Sequence, residues 1–177
     1  MCMLMCLAMS VAGDALPIPR KCPEFVIFQN PGKEILLSDF RGKVVVVAFV
    51  RTTCPHCRQF TEVLNRFQGE LGSRGFQAIA VAFNENAATL IDSFSRASHL
   101  NYPAGSSPRD PVLKFLGLSI MEDRWVVPQI VVVDRNRIIR AQSAPLGSPD
   151  LKDETKLRNL ISKLLSEPVL RKNSVGR

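Results

Sequence analysis

The chain is short of the groups that most ligand chemistries need. Its 177 residues hold one tryptophan, one tyrosine and two histidines. No stripe of aromatic residues interleaves with basic ones, and the lysines and arginines are scattered apart from Arg171-Lys172. The net charge of +7 therefore reads as a solvated basic surface, and a nucleic-acid partner is not expected. There is one C-x-x-C, Cys54 to Cys57, and no second. A zinc site would have to recruit Cys22 and His99, so no metal set is expected. Haem attachment needs a histidine after the second cysteine, and Arg58 stands there. Nothing specifies a flavin or a nucleotide, so no cofactor is expected beyond a disulfide between the paired cysteines. Internal repeats and low-complexity tracts are absent, which excludes solenoids and arrays.

Long hydrophobic runs are also lacking. The apolar start, Met1 to Gly13, falls short of the roughly 20 residues that cross a bilayer. It matches a signal-peptide core, with small residues Ala12, Gly13 and Ala15 where cleavage would fall, although no Lys or Arg precedes Arg20. Residues 1–15 are thus expected to be a leader or apolar segment, 16–167 a single domain, and 168–177 a disordered basic tail. Export to the periplasm or cell envelope is expected, without stable insertion of the mature domain in a membrane.

What is present is an alternation of strands and helices. Hydrophobic residues make up 46% of the chain, enough for a real core. Glu24–Gln29 and Glu34–Leu37 flank the turn residues Asn30-Pro31-Gly32-Lys33 and predict a hairpin. Val44 to Val50 is apolar without alternation, as in a strand buried on both faces. From Pro55 to Leu71, residues Phe60, Val63, Leu64, Phe67 and Leu71 recur at helical spacing. Phe76–Phe83 predicts the next strand, which makes a parallel crossover unit. A helix follows with Leu90, Ile91, Phe94 and Ala97 on one face, and a short helix capped by Asp110 and Pro111 ends at Gly117. Gln129–Val133 and Ile138–Gln142 predict antiparallel strands around the turn 134–137. Ser148-Pro149 opens a last helix that ends before Pro168.

The pair Cys54 and Cys57 sits where a buried strand hands over to a helix. Free amides and the positive dipole end of a helix stabilise a thiolate there. Cys54, at the helix start, is expected to be the nucleophile; Cys57, one turn on, is expected to be the buried resolving thiol. Pro55 suits the first helical position. His56, when charged or donating a hydrogen bond, would stabilise the Cys54 thiolate further. Cys22 is expected to be a small apolar filler and His99 a surface residue.

With these residues in place the chain resembles the thioredoxin superfamily, in its TlpA-like redoxin branch, which is grouped with alkyl hydroperoxide reductase/thiol-specific antioxidant domains. The resemblance rests on Cys22-Pro23-Glu24-Phe25, Asp39-Phe40-Arg41-Gly42-Lys43, Cys54 to Arg58, and Pro128 ahead of an apolar strand. It implies a thioredoxin-like α/β fold with a mixed central sheet and an extra N-terminal hairpin. It also implies that Pro128 is cis and faces the cysteines, leaving the backbone of Val127 free to pair with a bound peptide. Thr53 stands where the branch has tryptophan, and Trp125-Val126-Val127 where it often has glycine. Asn136 is expected to take the left-handed turn position. Thr53, Trp125, Val127 and Pro128 are accordingly expected to contact substrate.

The function implied is a thiol–disulfide oxidoreductase acting on protein thiols or disulfides with an unidentified thiol partner, as a monomer. Cys-Pro-His-Cys matches DsbA-type oxidants in those four residues, so a potential more oxidising than cytosolic thioredoxin's is expected. The alternative is a peroxiredoxin-like peroxidase with Cys54 as the peroxidatic cysteine. Peroxiredoxins show Pro-x-x-x-Thr-x-x-Cys, and here Val47 and Arg51 hold the proline and threonine positions.

Overall fold

The computed structural model describes residues 16–119 and 125–170. The expected leader (1–15) and positions 171–177 of the expected tail lie outside the described residues. In chain order the elements are β1 (Arg20–Lys21), β2 (Val26–Gln29), β3 (Lys33–Leu36), β4 (Val44–Val50), α1 (Pro55–Leu71), β5 (Phe76–Ala82), α2 (Ala87–Ala97), β6 (Ala104–Ser106), α3 (Arg109–Leu116), β7 (Gln129–Val133), β8 (Ile138–Gln142), α4 (Pro149–Lys152) and α5 (Glu154–Ser166).

The strands form one eight-stranded mixed sheet in the order β1-β8-β7-β4-β5-β6-β2-β3. Strand β4 lies inside it, parallel to β5 and antiparallel to β7. All of its residues are buried, because its alternate side chains feed two cores. Val44, Val46, Ala48 and Val50 pack with Phe60, Leu64 and Phe67 of α1, Ile91 and Phe94 of α2, and Leu157 and Ile161 of α5. Val45, Val47 and Phe49 pack on the other face with Val112, Phe115 and Leu116 of α3 and with Phe25, Ile27 and Ile35 of the hairpin. Each large side chain so buried contributes about 1.5–3 kcal/mol. The hairpin joins the sheet through one β2–β6 pairing, Phe28 with Ser106. Gly105 permits that approach, since a Cβ there would lie 2.6 Å from the Phe28 carbonyl oxygen.

This is the thioredoxin-like fold with its N-terminal hairpin. Several local details differ from expectation. The residue with positive φ in the β7–β8 turn is Arg137, at 63°, not Asn136. Asn136 instead anchors the following chain: its Oδ1 accepts from the Leu170 amide at 2.8 Å and its Nδ2 donates to the Pro168 carbonyl at 3.3 Å. The Arg137 guanidinium holds its own backbone in place by donating to the Cys22 and Pro23 carbonyls and to Glu24. Helix α3 starts one residue before Asp110, with Pro108 as its N-cap. Ala97 is exposed, and Ala87 is buried on the α2 face instead.

The last helix is broken. Asp153 adopts extended geometry (φ −71°, ψ 118°), closing α4 and opening α5. Its Oδ1 accepts from the Lys156 amide at 2.9 Å, which supplies α5 with a side-chain cap. Losing such a cap costs about 0.5–2 kcal/mol. Asp153→Ala is therefore expected to lower the unfolding free energy from urea titration by that amount, seen as a lower midpoint with an unchanged m-value, and an unchanged midpoint would contradict the capping role.

Candidate active site

Strand β4 ends at Val50, and the chain turns through Arg51, Thr52 and Thr53 before α1 begins. The turn is pinned from the neighbouring strand. Asn84, just beyond β5, accepts from the Thr52 amide at Oδ1 (2.9 Å), and its Nδ2 donates to the Thr52 hydroxyl (3.1 Å). The Cys54 amide donates to the Arg51 carbonyl at 3.1 Å. Cys54 is then the N-cap of α1, in extended geometry, and Pro55 takes the first helical position. No side chain caps this end. The Arg58 amide already donates to the Cys54 carbonyl at 3.3 Å. The free amides are therefore those of His56 and Cys57, and they favour an anion at the N-cap.

Cys54 is partly exposed and Cys57 is fully buried; both are free thiols. Burial pushes the Cys57 thiol well up; hydrogen bonding from the Arg51 backbone and the Lys152 ammonium pull it down, and the adjoining Cys54 adds to the rise. The two sulfurs thus differ as a nucleophile and a resolving thiol must: one accessible, the other held as a neutral thiol behind it. Cys22 belongs to the other core, where burial pushes its thiol up to about 11.

The Val127–Pro128 peptide is cis. Pro128 is buried and lines a hollow of about 200 Å³ with His56, Gln59, Phe60, Val63 and Lys152. Val127 and Cys54 both pack against the α1 core. This loop is clamped by Gln129, whose Nε2 donates to the carbonyls of Val126 (2.7 Å), Ala144 (3.2 Å) and Pro145 (3.1 Å). Gly147 completes the clamp: its φ is +97°, and a Cβ there would lie 3.0 Å from Val126 and 3.5 Å from the Lys152 Nζ.

The structure therefore brings Cys54, Pro55, His56, Cys57, Val127 and Pro128 together. His56 is exposed and walls the hollow; among the described residues it makes no hydrogen bond to Cys54. Thr53 is exposed on the opposite side of Cys54 in the chain and lines a different hollow. Trp125 packs against the other core. Its ring stacks on Phe83 at 5.1 Å and carries the Arg51 guanidinium 5.8 Å from its centroid. Three residues escaped the sequence reading: Asn84, Gln129 and Lys152. Asn84 and Gln129 had a faint signal, each a polar residue abutting an apolar strand. Lys152 had none, since only the break at Asp153 gives α4 its own direction. Among the described residues no group of three or more metal-ligating side chains is present, and no helix is long and apolar enough to cross a membrane.

Known proteins match this architecture. Thiol-disulfide oxidoreductase ResA of Bacillus thuringiensis subsp. konkukian is 26% identical over 105 residues, 59% of this chain and 60% of the relative. The alignment thus spans less than two thirds of that relative's length. ResA of Bacillus subtilis is 32% identical over 82 residues, 46% of this chain and 45% of the relative. Among solved structures, a putative thiol:disulfide interchange protein DsbE from Chlorobium tepidum superposes with a TM-score of 0.68 at 25% identity, covering 86% of this chain and 99% of that one. The profile of the AhpC/TSA family matches residues 18–142. That match takes in more than half of the chain, both cysteines and Pro128, and the chain belongs to the AhpC/TSA family, within the thioredoxin superfamily.

Proposed function

We propose that the protein is a thiol–disulfide oxidoreductase acting on protein cysteines, with Cys54 as nucleophile and Cys57 as resolving thiol. The observation that carries this reading is the asymmetry of the pair: a partly exposed sulfur at an uncapped helix N-terminus and a buried one a turn behind it. The relatives named as thiol-disulfide oxidoreductases support it.

Starting from the reduced pair, the Cys54 thiolate attacks one sulfur of a substrate disulfide. The substrate S–S bond breaks, its second sulfur leaves as a thiolate and takes up a proton, and a mixed disulfide forms on Cys54. Cys57 then loses its proton and attacks the Cys54 sulfur. The mixed disulfide breaks, the substrate leaves as a dithiol, and Cys54–Cys57 is oxidised by two electrons. Run in reverse, the same steps oxidise a substrate dithiol. The free amides of α1 stabilise Cys54 each time it is the thiolate. The high Cys57 thiol keeps the resolving group protonated until Cys54 is engaged. The hollow between α1 and Pro128 is the surface where the substrate's backbone would lie, with Val127 offering its own. The apolar start of the chain supports action outside the cytoplasm, and we take the working form to be a monomer.

Two experiments test this. Cys57→Ser is expected to accumulate disulfide-linked partners on Cys54 that Cys54→Ser does not. No adduct, together with stoichiometric peroxide consumption by the reduced wild type, would point to peroxidase chemistry instead. The second concerns pH. A raised thiol pKa lowers the thiolate fraction at any given pH, so in the native reduced protein at about pH 8 iodoacetamide is expected to label Cys54 and spare Cys57 and Cys22. Peptide mapping by mass spectrometry reads this, and all three should label in denaturant. Native labelling of Cys57 as fast as Cys54 would contradict the assignment of roles.

A further inference from the structure

Cations without carboxylate partners line the hollows bordered by the residues on either side of Cys54. Five basic side chains among the described residues are matched with carboxylates: Arg66 and Arg158 with Glu154, Arg137 with Glu24, Arg140 with Asp134 and Glu167, and Lys156 with Asp150. Arg51, Arg58, Arg109 and Lys152 are all exposed, and among the described residues none of them forms an ion pair. They are not scattered. Arg51 and Arg109 line one hollow of about 600 Å³ together with Thr53 and Asn84. Arg58 lines a second, of about 250 Å³, which also includes Thr53. Lys152 lines the third, with His56 and Pro128. The hollows of Arg51 and Lys152 share no lining residue. One borders the chain just before Cys54 and the other the chain just after it.

Two features prepare the Arg51 hollow for an anion. The guanidinium of Arg51 lies over the Trp125 ring, 5.8 Å from its centroid, a contact that favours holding the cation there. Thr53 supplies the opening. It stands where the resembling branch has tryptophan, and it borders the hollows of both Arg51 and Arg58, so a small side chain keeps both open. Glu85 is the one carboxylate among the described lining residues, and it pairs with neither arginine.

We propose that this face selects a substrate cysteine carried in an acidic segment, whose carboxylates on one side of the cysteine meet Arg51 and Arg109 and on the other side meet Lys152. This rests on the oxidoreductase reading and names its substrate class. The complementarity acts on encounter and on orientation of the mixed disulfide, and it is screened by salt.

The test uses the oxidised full chain and three reduced peptides that differ only in the residues flanking one cysteine: Glu, Gln or Lys on both sides. Stopped-flow exchange is expected to be about tenfold faster for the Glu than for the Lys peptide at low salt, with the gap closing as salt rises. Acidic flanks also alter the peptide thiol itself, so the deciding quantity is the Glu/Gln rate ratio in wild type divided by that ratio in Arg51→Gln/Arg109→Gln/Lys152→Gln, where the intrinsic effect cancels. That quotient is expected to be several-fold above one. Thr53→Trp, which fills the opening without removing a charge, is expected to lower the Glu/Gln ratio as well. A quotient of one, or a Glu/Gln ratio indifferent to both variants, overturns the proposal alone. No exchange with any peptide overturns the oxidoreductase reading, and this proposal with it.

Discussion

Burial of β4 on both faces is the constraint from which the rest of the molecule follows. A strand whose seven residues are all apolar cannot leave either face to water. One face requires α1, α2 and α5; the other requires α3 and the hairpin. The parallel pairing with β5 then requires a crossover, which α1 provides. Because α1 follows β4 after a short turn, its N-terminus emerges at the C-terminal end of β4. There the free amides meet solvent, and there the first cysteine lies. The chemistry of Cys54 is thus a consequence of where a hydrophobic strand stops.

A second consequence is that the site is assembled from chain ends rather than from one segment. Asn84, just past β5, fastens the turn before Cys54. Gln129, at the start of β7, fastens the Val126–Pro128 loop to the residues that follow β8. Lys152 arrives from α4, which exists as a separate helix because Asp153 turns the chain and caps α5. All of these side chains sit beyond or at the margins of buried elements. The rigid core positions them, and the polar margin gives the face around Cys54 its basic character.

How much of this was legible depends on the range of the interaction. The two-residue cysteine spacing, the apolar run before it and the amphipathic run after it are local patterns, and β4 and α1 lie where those patterns put them. Helix breaks and turn geometry depend on partners far along the chain. Asn136 has the better intrinsic preference for positive φ, yet Arg137 adopts it because its guanidinium reaches carbonyls at residues 22 and 23. Asp153 falls inside the span expected to be one last helix, and it breaks that span and caps α5. Trp125, expected from the sequence to contact substrate, stacks on Phe83 and lies against Arg51, contacts that no spacing rule encodes.

The account's central claim is that Cys54 and Cys57 form one reversible two-electron couple, biased by the free amides at the start of α1. Equilibrium redox titration with mass mapping of the bridged peptide measures that directly. The account predicts a single transition assigned to a Cys54–Cys57 disulfide, with a midpoint more oxidising than the roughly −270 mV of thioredoxin. A midpoint at or below that value would contradict the electrostatic bias, and failure to recover a Cys54–Cys57 bridge at any potential would contradict the couple itself.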